Sequence, residues 1–311
     1  MRWTALRKGI GPALAATTGK GAAVPADSPL LRALDGLERL KGLDLAARPV
    51  RRAVRNLPLG RFRDVLHGLP LGHPLHPLLV QAPIGAWLSA GLLDAVPGTR
   101  RGARVLVGAG VLAAVPAALA GWVDWAEQQP RQARTGLAHA LTVNVATGLY
   151  ATSWLQRGRG HTARGKALGW AGLGVVAVGG LLGGHLAYRQ AAGTNKTEPV
   201  PHLLADRWYD LGRVEDFPVG QAVRRELGEV PVLVVRRSGG RIHVLADRCS
   251  HQSGPLSEGK ITDGCVECPW HGSVFRLADG ANVRGPATAP QPSFEVDVQA
   301  DGAVRVRLPE A

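Results

Sequence analysis

Residues 249–275 read CSHQSGPLSEGKITDGCVECPWHGSVF. Cys249-Ser250-His251 is followed, after sixteen residues, by Cys268-Pro269-Trp270-His271. Cys-x-His puts two potential ligands on one tight loop, and Cys-x-x-His puts two on another. Thiolate and imidazole are the side chains that hold soft or borderline metals. Two of each suit either tetrahedral structural zinc or a [2Fe–2S] cluster with cysteines on one iron and histidines on the other. The chain's three cysteines all lie between 249 and 268, which rules out a disulfide framework. Cys265 is left over and reads either as a neighbour of the metal site or as a small buried side chain.

The flanks of this stretch read as β structure. Alternating runs occur at 222–227, 230–237, 241–247, 293–298 and 303–308. Turn signals separate them: Ser238-Gly239-Gly240, Asp263-Gly264, Asp279-Gly280 and Asp301-Gly302. The expectation is an all-β antiparallel sandwich or barrel over 205–311, with the ligand loops at the tips of strands.

Upstream the period changes. Four apolar runs follow one another at 77–96, 105–123, 137–156 and 167–188, each near the roughly 20 residues that a bilayer-spanning helix needs. Trp122, Trp125, Trp154 and Trp170 fall at ends of runs, where amphipathic rings sit at headgroup level. Gly179 with Gly183, and Gly180 with Gly184, give the small-residue spacing that lets helices approach in lipid. Pro116 lies mid-run, which membrane helices tolerate. The expected fold is a membrane all-α four-helix bundle followed by the β domain. The boundaries read as a basic N-terminal segment over 1–69, four transmembrane helices over 70–192, a linker over 193–204 and the β domain over 205–311.

Charge follows the same division. The net charge is +13, with all of the basic excess before residue 203 and a slight acidic excess after it. A basic excess gathered around apolar runs predicts a lipid membrane as partner and argues against nucleic acid. Residues 28–66 place Leu and Ala at helical spacing between Arg and Lys, which reads either as an interfacial helix on anionic lipid or as a partly ordered basic leader. An even number of spans puts both termini on one face. Arg100, Arg101, Arg104, Arg157, Arg159, Arg164 and Lys166 nearly balance the basic residues of the other face. With no export signal in the leading residues, both termini and the β domain are expected on the cytoplasmic side of a bacterial inner membrane.

The stretch CSHQSGPLSEG with GCVECPWHGSVF resembles the cluster-binding motif of Rieske iron–sulfur proteins, Gly254, Pro255, Leu256, Pro269, Gly272, Ser273 and Phe275 included. Gly285-Pro286-Ala287 resembles the proline loop that covers the cluster in that family. The resemblance, over about 205–311, implies a [2Fe–2S] cluster with Cys249 and Cys268 on one iron and His251 and His271 on the other. It implies that Ser273 donates to a bridging sulfide, and that Phe275 stands where the quinol-oxidising branch has a tyrosine donor. That branch braces its loops with a disulfide at the positions of Gly254 and Trp270, so the ferredoxin-type branch is the closer match. An oxygenase would need a further iron domain, and only 40 residues follow His271. Residues 70–192, through GHPLHPLL, GWVDW and GGHLAYRQ, are similar to a bacterial membrane domain of unknown function, which implies no activity.

His76, Asp124, His139 and His185 fall at similar depth near the N-terminal face of the expected bundle. Intramembrane ionisable groups are costly and often functional. A haem, a quinone pocket or another metal facing the cluster is one reading of them; snorkelling or helix-to-helix hydrogen bonding is the other. The function expected of the whole is a membrane-anchored one-electron carrier between a soluble redox partner protein and a membrane redox site. The alternatives are a subunit of a quinol oxidoreductase or oxygenase electron-supply system, or a redox sensor. No flavin or nucleotide fingerprint supports a self-contained enzyme.

Overall fold

The computed structural model describes residues 28–309. Three helices lead in: α1 (Pro29–Arg39), α2 (Leu43–Arg55) and α3 (Phe62–His67). The short α4 (His76–Leu79) and α5 (Gln81–Asp94) follow, then the long α6 (Arg100–Ala126), α7 (Pro130–Gly158) and α8 (Thr162–Gly184), whose last turn, His185–Arg189, is π-helical. Helix starts obey local chemistry. Ser28 accepts from the backbone N–H of Leu31 at 3.1 Å, with Pro29 at the first position of α1. A Gln129–Gln132 capping box and Pro130 open α7.

The four expected spans form a bundle, but an unequal one. Helices 100–126 and 162–189 are long and apolar enough to cross a membrane. The first expected span, 77–96, is divided: α5 has 14 residues, about 21 Å, and reaches membrane length only with α4 stacked before it. Helix α7 is the longest at 29 residues and carries polar side chains. Helix α5 packs on α6 and α8, and α7 packs on the same two. Short loops make successive helices antiparallel, so α5 and α7 run parallel across the diagonal. The bundle buries small residues such as Ala103, Ala117 and Ala120. Large apolar ones point outward, with Leu92 72%, Leu112 75% and Val115 65% exposed. This is the inverse of a water-soluble bundle.

The segment expected to lie on lipid as one interfacial helix instead forms α1, α2 and α3, capping the N-terminal end of the bundle. Leu34, Ala47, Val54 and Leu66 are buried against protein. Its arginines are engaged too. Arg51 donates to the carbonyls of Ala126 (3.0 Å) and Gln128 (2.8 Å) at the negative end of the α6 dipole. Arg55 pairs with Glu127, Arg134 with Asp44, and Arg189 with Asp35. Of the basic N-terminal segment expected over 1–69, residues 1–27 lie outside the described residues.

The expected linker is ordered rather than free. Ala191 and Gly193 turn the chain with left-handed φ of 51° and 73°. The backbone N–H of Lys196 donates to the carbonyl of Ser250 at 2.9 Å. Helix α9 (Val200–Leu203) then buries Val200 in the β core.

Ten strands follow: β1 (Tyr209–Arg213), β2 (Ala222–Leu227), β3 (Val230–Arg236), β4 (Ile242–Ala246), β5 (Lys260–Thr262), β6 (Cys265–Glu267), β7 (Val274–Arg276), β8 (Asn282–Arg284), β9 (Glu295–Val298) and β10 (Ala303–Arg307). They form three antiparallel sheets, β1-β10-β9, β2-β3-β4 and β5-β6-β7-β8. Strand β3 is the hub. Val232 and Val234 enter one core with Phe217, Val304 and Val306. Leu233 and Val235, on the opposite face, enter a second core with Leu256, Val266 and Phe275. The five alternating runs of the sequence correspond to β2, β3, β4, β9 and β10. The three-residue strands β5–β8 are too short to show alternation, and they carry the ligand loops.

Candidate metal centre

The first loop leaves β4 and the second joins β6 to β7. Each is closed by its own backbone. Cys249 N–H donates to Gly254 at 2.8 Å, and Ser253 N–H to Cys249 at 2.8 Å. Cys268 N–H donates to Ser273 at 2.8 Å, and Gly272 N–H to Cys268 at 3.1 Å. Gln291, almost fully buried, pins the first loop. Its Nε2 donates to the carbonyls of Ala246 (2.7 Å) and Arg248 (2.6 Å), and its Oε1 accepts from Ser250 N–H at 3.1 Å. Nothing in the sequence around Gln291 announces this role.

The loops meet at one end of the domain. The thiols of Cys249 and Cys268 are buried and in contact, and neither is in a disulfide. Backbone N–H groups of His251 and Gln252 are aimed at the Cys249 sulfur, and those of Trp270 and His271 at Cys268. Such donors favour thiolate. The rings of His251 and His271 stand 4.9 Å apart at 83°. Their Nδ1 atoms are buried and have no hydrogen-bond partner. A buried imidazole nitrogen without a partner is costly, and two facing two thiols are what a metal centre would satisfy. Contact with Cys249 and the local N–H groups draws the Cys268 thiol down to about 7, while that contact and burial push Cys249 up. Burial, aided by His271, His67 and Lys196, drives His251 down to about 3, and burial lowers His271. Both rings are thereby held neutral, the form that ligates.

Around this end, Ser273 is fully buried and its Oγ accepts from Ala287 N–H at 3.0 Å, tying the loop of Pro286 to the second ligand loop. Phe275 is fully buried in the apolar core, where it offers no hydroxyl. Gly254 lies under the Trp270 ring in a tight fit: a Cβ there would be 3.0 Å from the indole and from the Cys268 sulfur. An indole on a glycine thus braces the loops. Cys265, expected to be buried, is half-buried in β6.

The ligand end faces the helical domain. Gly285 N–H donates to Asp64 Oδ1 at 3.0 Å, and Gln252 Nε2 to Gln132 Oε1 at 3.3 Å. His67, 2% exposed, shares a 2.8 Å hydrogen bond through Nδ1 with Asp124 and lies within electrostatic range of His251. Glu127, Arg55 and Arg51 hold the same relation to His271. His67 and Asp64 escaped sequence reading because α3 looked like part of a basic leader.

The four membrane-face candidates do not form one site. His185 pairs with Glu38 at 3.1 Å, beside Asp35, and Asp124 pairs with His67. His76 and His139 meet each other, their rings 6.3 Å apart at 89°. Similar depth along the helices does not fix which way each side chain faces.

Comparison with known proteins agrees with this division. Residues 207–295 match the Rieske [2Fe-2S] domain, and residues 72–196 match DUF2231, a predicted membrane protein family. The anthranilate 1,2-dioxygenase ferredoxin subunit of Burkholderia cepacia is 35% identical over 101 residues, 32% of this chain and 92% of that protein. The 3-phenylpropionate/cinnamic acid dioxygenase ferredoxin subunit of Escherichia coli K12 is 38% identical over 99 residues, 32% of this chain and 91% of that protein. A chain in the complex of reduced oxygenase and oxidized ferredoxin in carbazole 1,9a-dioxygenase is 30% identical, covering 34% of this chain and 98% of that one, with a TM-score of 0.31. Matched along nearly the whole length of such ferredoxin subunits, the chain belongs to the Rieske [2Fe-2S] family and joins that domain, in one polypeptide, to a DUF2231 predicted membrane protein domain.

Proposed function

We propose that the chain is a membrane-anchored one-electron carrier, in which Cys249, Cys268, His251 and His271 ligate the [2Fe–2S] cluster and the helical domain holds it at the bilayer surface. The cluster supplies one-electron redox chemistry, with the histidine-bound iron as the site of reduction. The chain's residues do the rest. Buried Ser273 and the Pro286 loop exclude water, and neutral His251 and His271 offer their Nδ1 lone pairs to the cluster while each Nε2 keeps the ring proton.

The observation that carries this reading is the seating of the histidine edge on α3 and the end of α6, through Asp64–Gly285 and beside His67–Asp124. A carrier that served only soluble partners would leave that edge in water. The helical domain thereby becomes the nearer redox partner and a soluble protein the other. The outward apolar residues of α6 and α8 support anchoring, and the basic α2 beside the ligand end supports placing it on the cytoplasmic face. The ferredoxin relatives favour one second reading, electron supply to an oxygenase.

The test is electron paramagnetic resonance of the full chain in lipid nanodiscs. A Rieske-type signal after dithionite, lost in His271→Ala, is expected, with reoxidation by added quinone or by a membrane fraction. Colourless protein with stoichiometric zinc would overturn it.

A further inference from the structure

The helical bundle is an internal duplication. Its axis is lined by pairs in which each residue meets its own counterpart one repeat later. His76 faces His139, Trp87 stacks on Tyr150 with centroids 4.1 Å apart at 5°, and Asp94 binds Arg157 through two contacts of 2.7 and 2.6 Å. Every pair is separated by the same 63 residues. The sequences agree: HPLLVQAPIGAW at 76–87 aligns with HALTVNVATGLY at 139–150. Neighbours repeat as well. A Cβ on Gly110 would strike the Trp87 ring at 2.3 Å, and one on Gly172 the Tyr150 ring at 2.9 Å. Gly91 lies against Trp170, and Gly108 against Trp154, which is one contact seen from both sides of a twofold axis. Because α5 and α7 run parallel, that axis runs along the bundle.

The two histidines are treated alike. His76 Nδ1 bonds the carbonyl of Ala117 on α6 at 2.8 Å, and His139 Nδ1 bonds the carbonyl of Gly179 on α8 at 2.9 Å. A carbonyl takes only a donor, so each Nδ1 carries the proton and each Nε2 is left as a base. Each ring rests on the glycine one turn further along, Gly121 or Gly183. Fixing one ring nitrogen on a carbonyl is how proteins aim the other at a metal. The other axial pairs have diverged into complementary partners, a stack and an ion pair, while this one has kept two identical bases. The spacing also fits. Two imidazoles trans on one metal, with bonds of about 2.0–2.1 Å and about 1.1 Å more to each ring centre, put the centres about 6.2–6.4 Å apart; the observed value is 6.3 Å.

We propose that His76 and His139 are the two trans ligands of one metal centre on the pseudo-twofold axis of the bundle, either a haem iron or a bare ion that accepts linear imidazole coordination, such as Cu(I). His185 and Asp124 take no part. Combined with the carrier reading, on which this extension alone rests, the reduced cluster gives up one electron to a ferric haem iron, which becomes ferrous, with no bond made or broken; a bare Cu(I), already reduced, would take no electron and be structural.

The experiment titrates the full chain in nanodiscs with haemin and, separately, with Cu(I). One equivalent of haemin giving a low-spin Soret spectrum, or one equivalent of copper without it, supports the proposal and tells the two sources apart. His76→Gln and His139→Gln keep an N–H for the helix carbonyl but lose the ligand, and binding falls about tenfold or more. His185→Gln binds as wild type. The proposal is overturned if wild type binds neither, or if both glutamine variants bind unchanged. Rieske-type resonance in every variant shows a folded chain, and its absence from wild type sinks the carrier reading without touching the metal titration.

Discussion

Asp64 on α3 reaches out of the helical domain and accepts the backbone N–H of Gly285 at 3.0 Å, beside the loop of Pro286. One turn later on the same face, His67 sits near His251. A single turn of α3 therefore bonds the cover of the ligand end and lies within electrostatic range of its histidine edge. This contact separates docked from undocked states. A hydrogen bond to a carboxylate contributes about 1.5–3 kcal/mol. Asp64→Ala should loosen the β domain and speed relaxation of the cluster signal by a soluble paramagnetic quencher, whereas Asp64→Asn keeps an acceptor and should behave nearly as wild type. Equal relaxation in Asp64→Ala and wild type would show that the contact does not hold the domains together.

Gly285 itself admits no replacement. Its φ is +99°, and a Cβ would lie 2.6 Å from Ser273 Cα and 2.9 Å from the carbonyl of Gly272. The conformation alone costs a side chain about 1–2 kcal/mol, and here the obstruction is backbone that cannot swing aside. Gly285→Ala should push the proline loop off the second ligand loop and cut cluster occupancy, read as iron per chain. Iron content equal to wild type would refute this.

Ser273 is expected to tune rather than hold. Its oxygen accepts from Ala287 N–H, so under the proposed ligation its own O–H would donate toward the cluster. A donor to the cluster favours the reduced, more negative form. Ser273→Ala removes that donor without enlarging any ligand loop, so the reduction potential should fall. A difference of about 1.4 kcal/mol corresponds to about 59 mV for one electron. Protein-film voltammetry reads the shift, and a rise in potential would contradict the assigned direction.

What the sequence discloses follows from how local each signal is. The ligand loops were legible because their residues lie within 23 positions of one another and their chemistry is rare. Strand β3 was legible because six consecutive residues, Val230 to Val235, commit it to the interior. Gln291 was not, because its partners Ala246, Arg248 and Ser250 are some 40 residues distant and glutamine is ordinary. The N-terminal helices were read by composition as lipid-facing, yet Arg51 and Arg55 face carbonyls and a carboxylate that only the folded α6 brings near. The grouping of His76 with His139 was available in the sequence as a repeat, and was hidden because only a few positions of the two halves remain identical.

The far end of the bundle offers a test of the duplication that needs no cofactor. Arg157 and Asp94 are nearly fully buried, 3% and 4% exposed, and bonded through both guanidinium nitrogens; Ser153 and the carbonyl of Gly165 take up the remaining donors. Removing one partner of a buried pair leaves an uncompensated charge and costs about 3–5 kcal/mol. Asp94→Ala or Arg157→Ala should therefore lower the unfolding midpoint in detergent sharply, and the double alanine variant should be more stable than Arg157→Ala predicts by addition, since no orphan charge remains. Because the two positions are counterparts across a pseudo-twofold axis, the exchange Asp94→Arg with Arg157→Asp places the pair in mirrored roles and should recover a large part of the loss. Recovery no better than the sum of the single substitutions would mean that the two sites are not equivalent, and the twofold description of the bundle would have to be given up.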